Sequence, residues 1–174
     1  MKKFIFYSLI LFFIGFTISS CESNGVSKQA TVKVPELLVN IMGLSSDEAH
    51  KKILEEGYLK VIDKYINGGI ITIGFNGSTV QKAWGGVNTG NDLTNTAYLW
   101  LNAAQVMGFE LTEGYIEYEP ENNGITFYEL SELKEAMKVM KGGWEMIALL
   151  SNSKKGITMR YECDNEALEV TVSQ

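Results

Sequence analysis

The chain has 174 residues with a formal charge of −6, two cysteines and one histidine, which is one domain's worth of sequence, long enough to bury about two-thirds of its unfolded surface. Fifteen basic against twenty-one acidic side chains argue against nucleic acid or anionic headgroups as partners, since both need Lys/Arg clusters. A lone His50 leaves no Ser-His-Asp triad unless it is the base, and no Gly-x-Ser-x-Gly accompanies it.

Lys2 and Lys3 precede a nearly unbroken apolar run from Phe4 to Ile18, the layout of an export signal spanning residues 1–20. Fifteen residues of helix reach only about 22 Å, short of a hydrocarbon core of about 30 Å. The run ends in Ile18-Ser19-Ser20-Cys21, which resembles the lipobox of bacterial lipoproteins. That resemblance implies cleavage before Cys21, a diacylglycerol thioether on its sulfur, and anchorage of the product in a lipid bilayer. It places the protein at a cell envelope; an outer membrane is favoured over an inner one, and the leaflet stays open. Removing residues 1–20 takes away two lysines and no acid, so thirteen basic side chains face twenty-one acidic ones and the charge becomes −8. With Cys21 acylated, Cys163 is the only thiol left and no internal disulfide is expected.

Residues 21–33 read as the acylated cysteine and a polar tether, and a single α+β domain is expected over 34–174. Val34-Pro35 predicts an extended start to the domain. Ser45-Ser46-Asp47-Glu48 predicts a helix start, with Ala49 and Ile53 on one face and Gly57 as its stop. Tyr58 and a strand to about Tyr65 follow, then a turn at Asn67-Gly68-Gly69 and a returning strand Ile70–Phe75. Further on, Asp92 caps a helix with Leu93, Ala97, Trp100, Leu101 and Ala104 on one stripe; Gly108 stops it, and strands at 110–119 and 125–128 flank a turn at Asn123-Gly124. Residues 131–140 form the next helix, Gly142-Gly143 stops it, and strands from Glu145 and Ile157 flank Lys155-Gly156.

Gly143, Trp144, Ile157 and Tyr161 each lie 86 positions after Gly57, Tyr58, Ile71 and Phe75. The pattern predicts three helix-hairpin repeats, at 45–75, 92–128 and 131–161, forming a mostly antiparallel sheet with helices packed on one face. Thr79–Trp84 and Ala167–Val172 are expected to add strands. The segment from Val34-Pro35 through Gly57-Tyr58-Leu59-Lys60-Val61 resembles a PASTA domain, and the helix-hairpin plan is similar in architecture to β-lactamase-inhibitor-like and BamE-like envelope proteins.

Candidate chemistry is sparse. The glycine-rich stretch Trp84, Gly85, Gly86, Asn88, Gly90, Asn91 reads as a loop ahead of a helix, where backbone N–H groups meet a ligand, with Trp84 at its rim. Glu117 and Glu119 share one face of a strand, the spacing of a carboxylate pair. Cys163 has the parity of Ile157, Met159 and Tyr161 and points inward; His50 takes a solvated or boundary position on its helix, with no metal partners at fixed spacing. No cofactor or metal is expected. The expected role is a non-catalytic binding module with an envelope protein or glycan as partner; the alternatives are a hydrolase built on Glu117 and Glu119, and a structural scaffold.

Overall fold

The computed structural model describes residues 33–68, 71–88, 93–118, 123–139, 144–164 and 166–174. Helices α1 (Val34–Ile41) and α2 (Ser46–Glu55) lead into strands β1 (Leu59–Val61), β2 (Lys64–Asn67), β3 (Ile71–Asn76) and β4 (Lys82–Asn88). Then come α3 (Leu93–Val106), β5 (Glu110–Tyr118), β6 (Asn123–Phe127), α4 (Leu130–Val139), β7 (Trp144–Asn152), β8 (Ile157–Cys163) and β9 (Ala167–Ser173). The nine strands form one antiparallel sheet in the order β1-β2-β3-β4-β9-β8-β7-β5-β6.

The alternation of β7 and β8 explains the core. Trp144, Met146, Ala148 and Leu150, and across from them Ile157, Met159, Tyr161 and Cys163, are all buried, while the residues between them are not. Period-two patterning of this kind commits one face of a strand to the interior. On that core face Tyr161 packs on Trp100 of α3, ring centroids 6.4 Å apart, and its hydroxyl donates to the Trp100 carbonyl at 3.3 Å. Leu93, Ala97, Trp100, Leu101 and Ala104 of α3 are buried, the stripe legible in the sequence. Burial of five such side chains against the sheet gives α3 the tertiary anchorage that an isolated helix of its length lacks in water.

Three helix-hairpin repeats are not what the chain builds. Among the described residues four helices serve nine strands, and the first segment folds differently from the other two. Between Tyr58 and Asn67 the chain already reverses once, at Ile62-Asp63, making β1 and β2; β3 is therefore a third strand and not the return of a first hairpin. The reversal is hidden in sequence because Ile62, a β-branched residue, takes φ +58 there. The offset of 86 also lands on unlike places. Tyr58 precedes β1, a three-residue edge strand, whereas Trp144 opens β7, nine residues long and interior. Gly57 and Gly108 do share one role, ending helices with φ +86 and +82, but Gly143 lies outside the described residues. In the 92–128 segment Asn123 and Gly124 are not a turn; they pair with Tyr118 and Glu117 as the first residues of β6.

Nor do the helices sit one to a hairpin. Helix α1 begins where Val34-Pro35 predicts an extended entry: Pro35 falls in the first turn, which its missing N–H tolerates, and Leu37, Leu38, Val39 and Ile41 bury nearly all round the helix. It packs on β4, β9 and α3, α3 on β8 and β9, and α4 on β5 and β6, while α2 leans on α1. The α2 cap is the one the sequence announces. Ser45 Oγ accepts from the Glu48 N–H at 3.4 Å, and the Ser45 N–H donates to Glu48 Oε2 at 3.0 Å. Hydrogen bonding from the Ser45 hydroxyl, then its N–H, holds the Glu48 carboxyl below the usual range.

Two glycines explain how α1 docks. A Cβ on Gly85 would stand 2.7 Å from Val34 Cγ1, so the helix sits directly on the β4 backbone; one on Gly86 would meet nothing closer than 3.4 Å. Gly85→Ala is therefore expected to cost about 1–3 kcal/mol by overpacking. Gly86→Ala, one residue along the same strand, is expected to change stability by less than about 0.5 kcal/mol. Urea unfolding of the two variants checks the contrast.

Candidate functional site: the uncovered face of the sheet

Residues of the other parity in β2–β9 are half-buried or exposed, apart from Gly74, and among the described residues no helix lies over them. Cross-strand register fixes how they line up. One row reads Ile66, Thr72, Gly86, Glu169, Glu162, Ile147, Tyr115, Thr126. The next reads Gly74, Trp84, Thr171, Arg160, Leu149, Glu113. A third carries Asn76, Lys82, Ser173, Thr158 and Ser151.

Between the second and third rows runs an open trough of about 510 Å³. Lys82, Thr112, Leu149, Thr158, Arg160, Thr171 and Ser173 line it, with Leu150 and Met159. Four hydroxyl side chains, Thr112, Thr158, Thr171 and Ser173, stand on a lining whose exposed surface is mostly apolar. The Thr158 and Ser173 side chains are 2.9 Å apart, and Thr112 donates to Ser151 at 3.3 Å. Thr112 reaches the trough because β5 carries a bulge: Leu111 pairs with Leu150 and Glu113 with Leu149, leaving Thr112 extra. Arg160 is held by Glu162 two residues along the strand, and Lys82 supplies the second cation.

Trp84 sits beside the trough, on the same strand as Lys82 and next to Thr171. Its indole lies across Gly74, where a Cβ would stand only 2.4 Å from the ring, so the absence of a side chain on Gly74 lets the ring lie flat on the sheet. Tyr115 covers Gly124 in the same way at the far edge. The proposed Trp84-to-Asn91 loop is thus corrected: Trp84, Gly85, Gly86 and Asn88 belong to β4, an interior strand paired on both sides, and Gly90 and Asn91 lie outside the described residues. Trp84 and Gly86 face the trough side and Gly85 faces α1, so the set does not converge on one ligand.

Glu117 is on this face too, directly opposite Glu145, and takes a hydrogen bond from the Tyr115 hydroxyl at 3.4 Å. Desolvation first, then the Glu117 charge and that hydrogen bond, raise the Tyr115 phenol above its ordinary value. Glu119 lies outside the described residues. Like charges face each other again at Glu162 and Glu169, arrangements that cost a sheet stability where nothing intervenes. His50, half-buried on α2, pairs its Nδ1 with the Tyr65 hydroxyl at 2.9 Å, far from this face. Among the described residues no cluster of His, Cys, Asp and Glu is placed to hold a metal ion, and no helix is long and apolar enough to cross a membrane.

The trough residues were not singled out by sequence. The alternation Ile157-Thr158-Met159-Arg160-Tyr161 marks Thr158 and Arg160 as outward, but nothing along the chain says that Thr171 and Lys82 lie beside them. No protein-family model matches the chain, and comparison with curated proteins and with solved structures finds no match either.

Cys163 points into the core, and burial first, then the Asp164 charge, push its thiol up to about 12. The folded chain keeps that proton through a range where the unfolded chain, titrating near 9.0, gives it up. The sign follows: this contribution to stability is complete below about pH 9 and falls away as pH rises toward 12. Burial raises Tyr58 and Tyr161 in the same direction. Unfolding free energies measured at pH 7 and 10.5 should fall with pH, and Cys163→Ala should show a shallower fall.

Proposed function

We propose that the chain is an acylated cell-envelope lipoprotein whose domain works by binding, through the uncovered face of its sheet, and not by catalysis. The address comes from Lys2-Lys3, the apolar run and Ile18-Ser19-Ser20-Cys21. More than one acyl chain is needed for firm retention, since a single one gives only marginal membrane binding, and an acidic chain of charge −8 offers no polybasic support.

The observation that carries the binding half is the trough. It places hydroxyls of Thr112, Thr158, Thr171 and Ser173 beside two cations, Lys82 and Arg160, with the flat Trp84 indole next to Thr171. Donors, acceptors and an aromatic plane on a rigid sheet suit recognition of a polar partner such as a glycan or the polar surface of an envelope protein. The sheet holds them in fixed register, so little ordering cost falls on binding.

Two measurements test this. Intact-mass analysis of the exported protein should find Cys21 as the first residue, carrying acyl groups, and Cys21→Ala should abolish acylation. In solid-phase binding to envelope extract fractionated into glycan and protein, Arg160→Glu and Thr171→Arg, both surface changes, should weaken retention on one fraction by about tenfold or more. Equal retention of wild type and both variants overturns the assignment to this face.

A further inference from the structure

We propose that the β1–β2 hairpin is a second membrane contact, its tip seated in the headgroup region of the bilayer that holds the acyl anchor. This rests on the lipoprotein reading above.

The observation behind it is a residue in the wrong place for folding. Ile62 is the only non-glycine among the described residues with positive φ, at +58. It is the first of two central residues in a two-residue turn between Val61 and Lys64. A turn with positive φ at that first position ordinarily takes glycine, because a β-branched side chain there collides with its own backbone. The strain is not offset by packing, since Ile62 is 90% exposed. Strain retained at an exposed position points to a role outside the fold.

Its neighbours are of one kind. Leu59 is 72% and Val61 47% exposed, and Leu59 pairs directly with the half-buried Ile66, so an apolar strip runs along the sheet edge to the Ile62 tip. Exposed Lys64, directly across from Val61, flanks it, able to lay its methylenes along the strip and carry its ammonium group to phosphates. Asp63 beside the tip limits the depth to the interface and keeps it out of the hydrocarbon core.

The anchor's position fits this occupant. Lys33, where the described chain begins, pairs with Glu56 at 3.9 Å, and Glu56 is six residues before Ile62, at most about 20 Å of strand. Cys21 precedes Lys33 by twelve residues, which span no more than about 40 Å. The acyl group and the hairpin tip therefore reach the same surface. A second copy of the chain is the weaker occupant, because β1 offers only three residues of free edge for strand pairing.

The test uses the full acylated chain in phosphatidylcholine vesicles, with a nitroxide on Ile62→Cys or, as a water-side control, on Lys154→Cys in the exposed β7–β8 turn; the buried Cys163 leaves labelling selective. The label at 62 should be several-fold more accessible to oxygen and several-fold better shielded from a water-soluble nickel chelate than the label at 154. In Ile62→Asn, which relieves the turn, thermal unfolding should be unchanged or raised, and a label on Leu59→Cys should return to water. A label at 62 as wet as at 154, on protein whose mass shows the acyl groups, overturns the hairpin contact and leaves the lipoprotein reading intact. Shielding at 62 that appears without vesicles and grows with protein concentration overturns it in favour of self-association, and a marked loss of stability in Ile62→Asn overturns it in favour of a folding role. A non-acylated chain whose position 62 still enters the bilayer supports the hairpin and overturns the lipoprotein reading; a non-acylated chain that stays in solution overturns both.

Discussion

The pairing of β4 with β9 is the constraint from which the rest follows. Seven residue pairs, from Lys82 with Ser173 to Asn88 with Ala167, join strands about eighty positions apart in the chain. On one side of this seam stand β3, β2 and β1, on the other β8, β7, β5 and β6. Without it the molecule would be two smaller sheets, each with a long bare edge, a state that invites association. A contact between such distant segments carries a large loop-closure cost, so folding of this chain should be slow by the standards of helical domains.

The seam also organises the helix layer. Gly85 lets α1 settle onto β4, α1 and α3 meet above β9, and Trp100 reaches down to Tyr161 of β8. Asn152 carries the same linkage outward: buried at the end of β7, it donates to the Met107 carbonyl after α3 and accepts from the Lys155 N–H of the next turn. Each of these groups joins elements that are remote in sequence. The opposite face, left free of helices, is where the strands from both halves bring their outward side chains into common rows.

Local physics was legible and assembly was not. Ser45 with Glu48, the α3 stripe and the inward parity of Cys163 are decided by residues a few places apart, and reading them needs no knowledge of the sheet. Helix α1 was obscured by Val34-Pro35, which reads as extended unless the proline is placed in a first turn, where it costs nothing. The β1–β2 reversal was obscured because it is made by isoleucine and not by a turn-forming residue. Trp84-Gly85-Gly86 looked like a loop because glycine usually marks one. Here the two glycines sit inside a strand, which close approach of another backbone or side chain also explains, and α1 supplies that approach at Gly85. The trough needed the strand order, and strand order is a property of the whole chain.

The bulge at Thr112 has a consequence for how β5 can change. Upstream of it Leu111 packs toward the interior, and downstream Gly114 and Ile116 do, so the extra residue resets the phase of the strand midway. Adding or removing one residue anywhere else in β5 would turn every later side chain over, exposing Ile116 and driving Glu117 inward. At position 112 alone the alternation already skips a beat, so that site is where evolution or an engineer could lengthen or shorten the strand, reshaping the wall of the trough while the hydrophobic side keeps its step.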